Sequence, residues 1–524
     1  LKSGKACGPD GGANDLIKSA TEDEIQIISK RGNAILVSGD VPARQVTEEE
    51  MQGYISLLHK GGATTDKPGD WRPVVLLNGV NQLVGYVVNS RLTNIVERAG
   101  LLEPGQGGYR RDRNTHINQK KMEWITEEAQ RQGKRVLRVD IDFRNAYNSM
   151  NQAALWAVMR AFGIPDVDLL EKLYQHTTVK LADDPAAATI TFDTGVAQGS
   201  VLSPMLFIIF INALLRLLTA RGQKSWLCHG LADTDQFNNL AFCDDMSLFA
   251  STGQDMQILL DTVHEFEMWS GIQVNLKKTI FLPIDGNQHR PAQEVTLTYK
   301  GQRIRQVPAD EAVRYLGFYA TANGDLQATK QRVIEKAKKA KEDIRQHPLE
   351  PTEAVATFVS EGVGIFRYSA AHCRWTEKEL ANLQQIWTQA YKLAWHLPEQ
   401  TANAPFTFPR RYASMQYPTP LGILAQELQS HLQQSLIHED VAKQITLREL
   451  EQAKAHWLCT SFTDITQEME LWPWDRANCD TWSRMAKCYQ MLGTDIELPL
   501  EEEDPSSRWV GWAVATRPLR RLRQ

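Results

Sequence analysis

Two short apolar runs flank a pair of adjacent aspartates in Asn239–Ala250 (NLAFCDDMSLFA), and no other feature limits the fold of this chain as strongly. The runs read as the arms of a β-hairpin with Asp244 and Asp245 at its tip, where Asn-Gly or Asp-Gly would be the ordinary choice. Adjacent carboxylates repel. The commoner fate of a bare Asp-Asp pair is a solvated acidic turn, and Asp183-Asp184, which runs into Pro185, reads that way. Around Asp244-Asp245, however, Leu240, Phe242, Leu248 and Phe249 tie the pair to the edge of a core. A divalent cation with hard oxygen ligands would relieve the repulsion there.

A further acid belongs with the pair. Arg135–Asp142 (RVLRVDID) is a compact strand with Val136, Arg138, Asp140 and Asp142 on one face and Leu137, Val139 and Ile141 on the other. Asp142 closes the strand, and Phe143–Met150 turns towards a helix. A strand-terminal Asp beside the hairpin pair gives three carboxylates able to hold two Mg²⁺. Two such ions roughly 3.5–4 Å apart can activate a 3′-hydroxyl and stabilise a pyrophosphate leaving group. Asp140 lies two residues earlier on the same face, and the alternation alone leaves the choice between it and Asp142 open.

The rest of the chain sets the context. Its 524 residues exceed one ordinary core and imply two to four domains. A formal net charge of −5 excludes a protein that coats DNA by overall basicity, so any nucleic acid must meet local basic patches. With 42% hydrophobic residues the chain is not a disordered tail. Seven scattered cysteines, an odd number, argue against a disulfide framework and for a reducing compartment. Helical spacing marks Asn14–Lys30, Thr47–His59 (Thr47 as cap, Glu50 three residues on), Gly79–Glu97, Gln152–Phe162 and Thr262–Ser270. Another helix opens at Ser203-Pro204, with Ser203 as its cap. Trp71–Asn78, Ile272–Leu276 and Ile280–Pro283 read as strands. Strands and helices alternate without a regular βαβ period, which predicts an α+β fold. After Ala320 the pattern turns mostly helical, and boundaries are expected near residues 135, 320 and 405. Leu1–Gly12 lacks the apolar core of a secretory signal. Met205–Leu218 carries Asn212 and Arg216 and is shorter than the roughly 20 residues of a spanning helix. It reads as a buried helix, so no membrane partner is expected. A chain that starts at Leu1 without Met is expected to be a piece of a larger polypeptide.

These motifs, in this order, resemble a reverse transcriptase of the non-LTR (LINE-like) retrotransposon kind over residues 1 to about 320. Lys2–Gly11 (KSGKACGPDG) resembles the Gly-Pro-Asp segment that opens such enzymes. Trp71–Asn78 resembles the fingers strand whose Arg, here Arg72, contacts the incoming triphosphate. Gln106–Thr115 (QGGYRRDRNT) resembles the motif whose aromatic-Arg pair, here Tyr109-Arg110, lies against template or nucleotide. Asp142–Asn148 (DFRNAYN) is similar to the first palm motif, an Asp followed five residues later by an aromatic. That match selects Asp142 over Asp140 and makes Tyr147 the ring beneath the nucleotide's sugar. Gln198–Pro204 (QGSVLSP) resembles the family's Gln-Gly segment, so Gln198 and Gly199 are expected beside the nucleotide. Phe242–Asp245 (FCDD) is similar to the aromatic-x-Asp-Asp box, with Cys243 where Ala, Met or Val is usual. Gly271–Thr279 (GIQVNLKKT) puts Lys278 in the family's lysine slot, and Arg314–Gly317 (RYLG) resembles the primer-gripping hairpin, with Tyr315, Leu316 and Gly317 at the primer.

The resemblance implies a right-hand polymerase with fingers at 1–135, palm at 136–319 (fingers residues inserted near 165–195), helical thumb at 320–405 and a helical extension at 406–524. It implies an RNA-directed DNA polymerase that uses an RNA template, a DNA primer or target, dNTPs and Mg²⁺, or Mn²⁺ in its place. It also implies further polyprotein domains outside this chain, and an intracellular location, nuclear in a eukaryotic host. Basic residues cluster locally, nine Lys/Arg against four Asp/Glu in Arg110–Arg138 and seven against three in Lys330–Arg345. After a primer grip, the second stretch reads as a thumb helix whose Lys338, Lys339 and Lys341 track the duplex backbone. The Trp-rich stretch Trp457–Trp512 reads as core packing, and the gaps between His456, Cys459, Cys479 and Cys488 are too irregular for a zinc site. Two rivals stand beside the polymerase. One is an intron-type maturase or domesticated reverse transcriptase, although residues 320–524 do not resemble an intron-binding domain. The other is a non-catalytic RNA-binding scaffold, against which the intact Asp triad argues.

Overall fold

The computed structural model of the chain describes residues 6, 8–11, 14–38, 52–61, 67, 70–182, 188–191, 194–222, 238–286, 295–347, 349–403, 406, 415, 417–437, 441–469, 471–477 and 479–492. Thr47, Glu50, Asp183-Asp184, Trp509, Trp512 and the basic end 517–524 lie outside them. The strands are β1 (Gln52–His59), β2 (Trp71–Leu76), β3 (Arg135–Ile141), β4 (Thr178–Leu181), β5 (Ile190–Thr191), β6 (Asn239–Phe242), β7 (Asp245–Ala250), β8 (Ile280–Asp285), β9 (Thr298–Tyr299), β10 (Gln302–Arg303), β11 (Arg305–Gln306), β12 (Val313–Tyr315) and β13 (Phe318–Ala320). The mixture is α+β, as the irregular alternation predicts.

The chain forms two compact units, and the lines fall elsewhere than expected. The first comprises residues 1–115, 135–283 and 288–307, and the second comprises 116–134, 284–287 and 308–524. The break expected near 135 is displaced because 116–134 belong with the helical half. The break expected near 405 divides nothing, since helices on both sides of it contribute to one apolar core.

In the first unit a five-stranded sheet runs β11-β8-β3-β7-β6. β3 lies at its centre, with Val136 and Val139 wholly buried. It pairs antiparallel with β7 from Leu137↔Ala250 to Ile141↔Met246, and β6 closes the hairpin on β7. The apolar helix Ser203–Arg221 supplies Phe207, Ile208, Phe210, Ile211 and Leu214 to the same core as Leu137, Val139 and Leu248. Burying each large side chain contributes about 1.5–3 kcal/mol. By length and composition this helix could cross a membrane, but most of it is buried in the core. Ser203 is its first helical residue and not its cap: the hydroxyl donates instead to the Ala197 carbonyl at 2.8 Å.

A second sheet, β2-β1-β4-β5, carries the other half of the unit. The helix expected over Thr47–His59 is overturned where it can be seen, because Gln52–His59 is β1. Its backbone is claimed on both sides, by β2 antiparallel and by β4 parallel. A local capping signal does not compete with two ladders. The Gly-Pro-Asp segment folds onto the end of β2. The Asp10 carboxylate accepts from the Gly79 N–H (2.7 Å), and the Asp10 N–H donates to Asn78 Oδ1 (3.1 Å). Asp10 thereby caps the helix Gly79–Arg98, whose first N–H groups have no partner within the helix.

The second unit is helical around Trp375, Trp387, Trp482, Phe358, Phe366 and Tyr391. Trp474 and Trp482 are buried there and Trp457 and Trp472 pack against the core, so these tryptophans of the Trp-rich stretch are structural. The helix Thr115–Gln132 brings polar side chains into this unit. Lys120 meets Glu449 at 2.6 Å, and Glu123 accepts from His372 Nδ1 at 2.9 Å. His372 Nε2 lies 3.0 Å from His116 Nδ1, the two rings stacked, and His431 crosses His372 edge-on at 4.7 Å between centroids. Burial, helped by His372, holds His116 down to about 4, and burial holds His431 well below the usual histidine range. Both rings are neutral in the folded state at neutral pH. Between pH 6.5 and about 4 the unfolded chain binds a proton at His116 that the folded chain does not. Stability should therefore fall as pH drops through that window, by up to about 3 kcal/mol for this residue. Urea midpoints of the second unit measured from pH 7 to 4 check this, with His116→Asn expected to flatten the slope.

Candidate active site

The carboxylate site is built where β3 ends. Ile141 and Met246 are the last ladder pair between β3 and β7, so Asp142 and Asp245 are the next residues along the two strands. Asp142 is held by the segment after the Gly253–Ser270 helix. Its N–H donates to the fully buried Thr279 Oγ1 (3.3 Å), and its carbonyl accepts from the Asn275 N–H (2.7 Å). Arg144 donates to the Gln273 carbonyl at 2.8 Å, and Phe143 bridges Val274. The Gly271–Thr279 motif thus works through its backbone and the Thr279 hydroxyl as a staple on the strand end. Lys278 is exposed on that staple.

Across the ladder, Phe242 pairs with Asp245, which leaves Cys243 and Asp244 as a two-residue turn. Cys243 sits at φ 60, a left-handed conformation that costs a non-glycine residue about 1–2 kcal/mol and that a II′ turn would ordinarily give to Gly. Asp245 opens β7 and is exposed, while Asp244 is half-buried. Burial pushes the Asp244 carboxyl up from its usual range. The charge of Asp142 adds to the rise, and the guanidinium of Arg72 opposes it. The three groups are therefore within electrostatic reach of one another.

Asp140 is committed elsewhere. Arg138 donates two hydrogen bonds to it (2.8 and 2.7 Å) and Ser247 a third (2.6 Å), so its charge is already matched. Arg72 is exposed on β2, whose position is set by the Gln-Gly segment. The Val75 N–H donates to the Gln198 carbonyl at 2.6 Å, and a Cβ on Gly199 (φ 119) would stand 2.4 Å from the Val75 oxygen. Gly199 is thus a backbone-contact position. Tyr147, on the short helix Ala146–Ser149, stacks on Phe207 (4.8 Å between centroids), and its hydroxyl lies 2.8 Å from Cys243 Sγ. Burial and the Asp244 charge push the Cys243 thiol up to about 12, so the sulfur stays protonated. Tyr109 is exposed.

Arg110 departs from its expected place against template or nucleotide. Its side chain is 8% exposed and forms a bidentate pair with Glu97 (3.0 and 2.8 Å). It also donates to the Glu103 carbonyl at 3.1 Å. The guanidinium braces a loop and is not available to a ligand. In the second unit, Leu316 and Gly317 form the turn between β12 and β13, both with positive φ, and Tyr368 donates to the Leu316 carbonyl. Tyr315 beside them is buried. Lys338 and Lys339 are exposed on the helix Gln327–Gln346, whereas Lys341 is half-buried and donates to Gln389 Oε1 at 3.0 Å. Sequence reasoning missed Thr279, Glu97, Tyr368 and Gln106, which is wholly buried and bonded to Cys243. Only the glycines around Gln106 hinted at a tight backbone approach.

The donor set fits a hard divalent cation: oxygen ligands only, with Asp244 made costlier to ionise by burial and by the charge of Asp142. Among the described residues no three His, Cys, Asp or Glu side chains close a ligand cage. A cation here would complete its shell with water and phosphate oxygens, which is the habit of Mg²⁺.

The model of the family described as reverse transcriptase (RNA-dependent DNA polymerase) matches residues 58–320. The chain is 26% identical over 330 residues to the Pol polyprotein of the type-2 retrotransposable element R2DM from Drosophila melanogaster, covering 61% of this chain and 29% of that protein. It is 24% identical over 357 residues to the Pol polyprotein of the type-1 retrotransposable element R2 from Popillia japonica, covering 67% of this chain and 48% of that protein. The chain thus spans less than half the length of either relative. Among solved structures it is similar to apo telomerase from Candida tropicalis at 11% identity, covering 81% of this chain and 72% of that one with a TM-score of 0.41, too loose a likeness to argue from. With the family model spanning half of its length, the chain belongs to the reverse transcriptases, of the non-LTR retrotransposon kind, whose fold is the right-handed polymerase and whose chemistry generally uses divalent metal ions.

Proposed function

We propose that the chain extends a DNA 3′-end on an RNA template, taking nucleotides from dNTPs, with Mg²⁺ (or Mn²⁺) held by Asp142, Asp244 and Asp245. The observation that carries this reading is the placing of Asp142 and Asp244 on neighbouring strand ends with Arg72 acting on the same carboxylate. When bound, the cation supplies activation of the 3′-hydroxyl and neutralisation of the leaving pyrophosphate. The chain's own residues do the rest. Arg72, a planar fork of donors, binds triphosphate oxygens from β2. Gln198 and Gly199 set that strand against the nucleotide, and Lys278 adds positive charge from the staple. Tyr147, fixed by Phe207 and Cys243, forms a floor under the sugar that a 2′-hydroxyl would strike. Tyr109 offers an exposed ring to template or nucleotide.

In the second unit the Leu316-Gly317 turn, backed by Tyr315, grips the primer, and Lys338 and Lys339 contact the duplex backbone. Lys341, held by Gln389, is subsidiary. In these terms residues around the two sheets of the first unit serve as palm and fingers, and the helices after residue 320 as thumb and extension. The greater length of the polyprotein relatives supports further domains supplied by the same element. The cysteines among the described residues are free thiols, which supports an intracellular site of action, the nucleus where the host is eukaryotic. The retrotransposon relatives favour this reading over the maturase, and the whole carboxylate set favours it over the scaffold.

Primer extension tests the assignment. Asp244→Asn should abolish it while leaving template-primer binding within a few-fold of wild type. Asp140→Asn should act on stability instead, by about 3–5 kcal/mol, because it leaves buried Arg138 without its charge partner.

The two arginines should separate. Arg72→Ala should raise the dNTP KM by roughly 10- to 150-fold, the loss of one charge-assisted contact. Arg110→Ala should lower the melting temperature, again by breaking a buried pair worth about 3–5 kcal/mol on removal of one partner, with little change in KM of the folded protein.

Tyr147→Ala should raise rNTP use relative to dNTP use with a moderate loss of dNTP turnover. An unchanged rNTP/dNTP ratio in the folded variant would remove the sugar gate.

A further inference from the structure

We infer that Gln106 is a positioning residue of the catalytic turn, its buried amide bonded to the peptide of Cys243 so that the backbone carrying Asp244 has one conformation. The inference rests on the polymerase reading for its consequence, but its geometry stands apart from it. Gln106 is 0% exposed. Its Oε1 accepts from the Cys243 N–H at 2.9 Å and from the Gly108 N–H at 2.8 Å, and its Nε2 donates to the Cys243 carbonyl at 3.4 Å. Both sides of the amide are thus used on one residue of the turn, as a neighbouring strand would use them. Cys243 needs this. It holds a positive φ without being glycine, and nothing in a two-residue loop fixes such a conformation unaided.

The approach of Gln106 is itself enforced by backbone. Gly107 donates to the Ala241 carbonyl at 2.8 Å and Ala241 to the Gly105 carbonyl at 2.9 Å, so residues 105–107 run beside β6. A Cβ on Gly108 would lie 2.4 Å from the Cys243 nitrogen, which accounts for a glycine there. The segment therefore ends directly on the turn. The amide of Gln106 bonds to main-chain atoms of Cys243 and Gly108, so it acts through Cys243. Losing it should affect turnover more than binding.

Two variants test the assignment, Gln106→Leu, which removes the amide at similar size, and Gln106→Glu, which keeps an oxygen at the accepting position. Steady-state primer extension is read beside the rate at which N-ethylmaleimide alkylates Cys243 in the native protein, followed by peptide mass spectrometry. In Gln106→Leu, kcat should fall by about 100-fold, the scale of a small misplacement of a catalytic group, with dNTP KM within a few-fold of wild type. Cys243 alkylation should rise about tenfold or more, because local opening limits access to a buried thiol. Gln106→Glu should return alkylation to near the wild-type rate. Wild-type kcat and wild-type alkylation in folded Gln106→Leu would overturn the assignment, and so would a raised KM at unchanged kcat, which would make Gln106 a nucleotide contact. Should Gln106→Leu fail to fold, Gln106→Glu decides: slow alkylation upholds the assignment, and alkylation as fast as in the urea-unfolded chain overturns it. An inactive wild type would sink the polymerase reading, while the alkylation contrast would still judge Gln106.

Discussion

Two carboxylates that repel each other are held at the end of an antiparallel ladder, and much of the first unit serves to keep them there. Burial, and after it the charge of Asp142, raises the cost of ionising Asp244. Left to a flexible loop, they would separate. Instead, one is fixed by Thr279 and Asn275 and the other by a turn anchored in β6, β7 and Gln106. Such a repulsion is what a hard, oxygen-seeking cation would relieve. Asp140, its charge matched by three hydrogen bonds of its own, stands outside the chemistry although it shares the strand.

The glycine-rich and glutamine-rich motifs act by backbone approach more than by side-chain chemistry. Gly199 lets the Gln198 loop meet β2, and the staple at 271–279 ties down Asp142 through the Asn275 N–H and the Thr279 hydroxyl. Function is concentrated in a few side chains, while the motif residues around them shape the frame. That division explains why a motif can read as catalytic along its whole length when only one or two of its side chains face a ligand.

Legibility followed the range of the interactions. The hairpin at 239–250 and the strand at 135–141 were readable because their apolar alternation is local and the core obeys it. The three aspartates could be singled out because adjacent or strand-terminal carboxylates beside apolar strands need a reason. Gln52–His59 was misread because β1 owes its conformation to ladders with β2 and β4, neither visible from its own period. Arg110 was misread because its partner Glu97 lies on a preceding helix. Within the lysine run, nothing local marks Lys341 as the one that reaches Gln389. The unit boundary near 135 was misplaced for the same reason: residues 116–134 belong to a basic cluster, yet Lys120 and His116 meet partners hundreds of positions away.

The bond between Gln106 and Cys243 spans 137 positions of sequence, and this bears on when the site comes into being. Closing so long a loop is slow relative to forming the hairpin itself, whose strands are adjacent in the chain. During synthesis, residue 106 leaves the ribosome well before residue 243 and has no turn to hold until β6 and β7 follow. The pairing of Leu137 with Ala250 spans a comparable stretch, so the sheet and the Gln106 anchor both wait on long-range closure, later than the hairpin of β6 and β7. The one conformation of the aspartate turn is therefore a product of tertiary assembly, and the hairpin alone does not carry it.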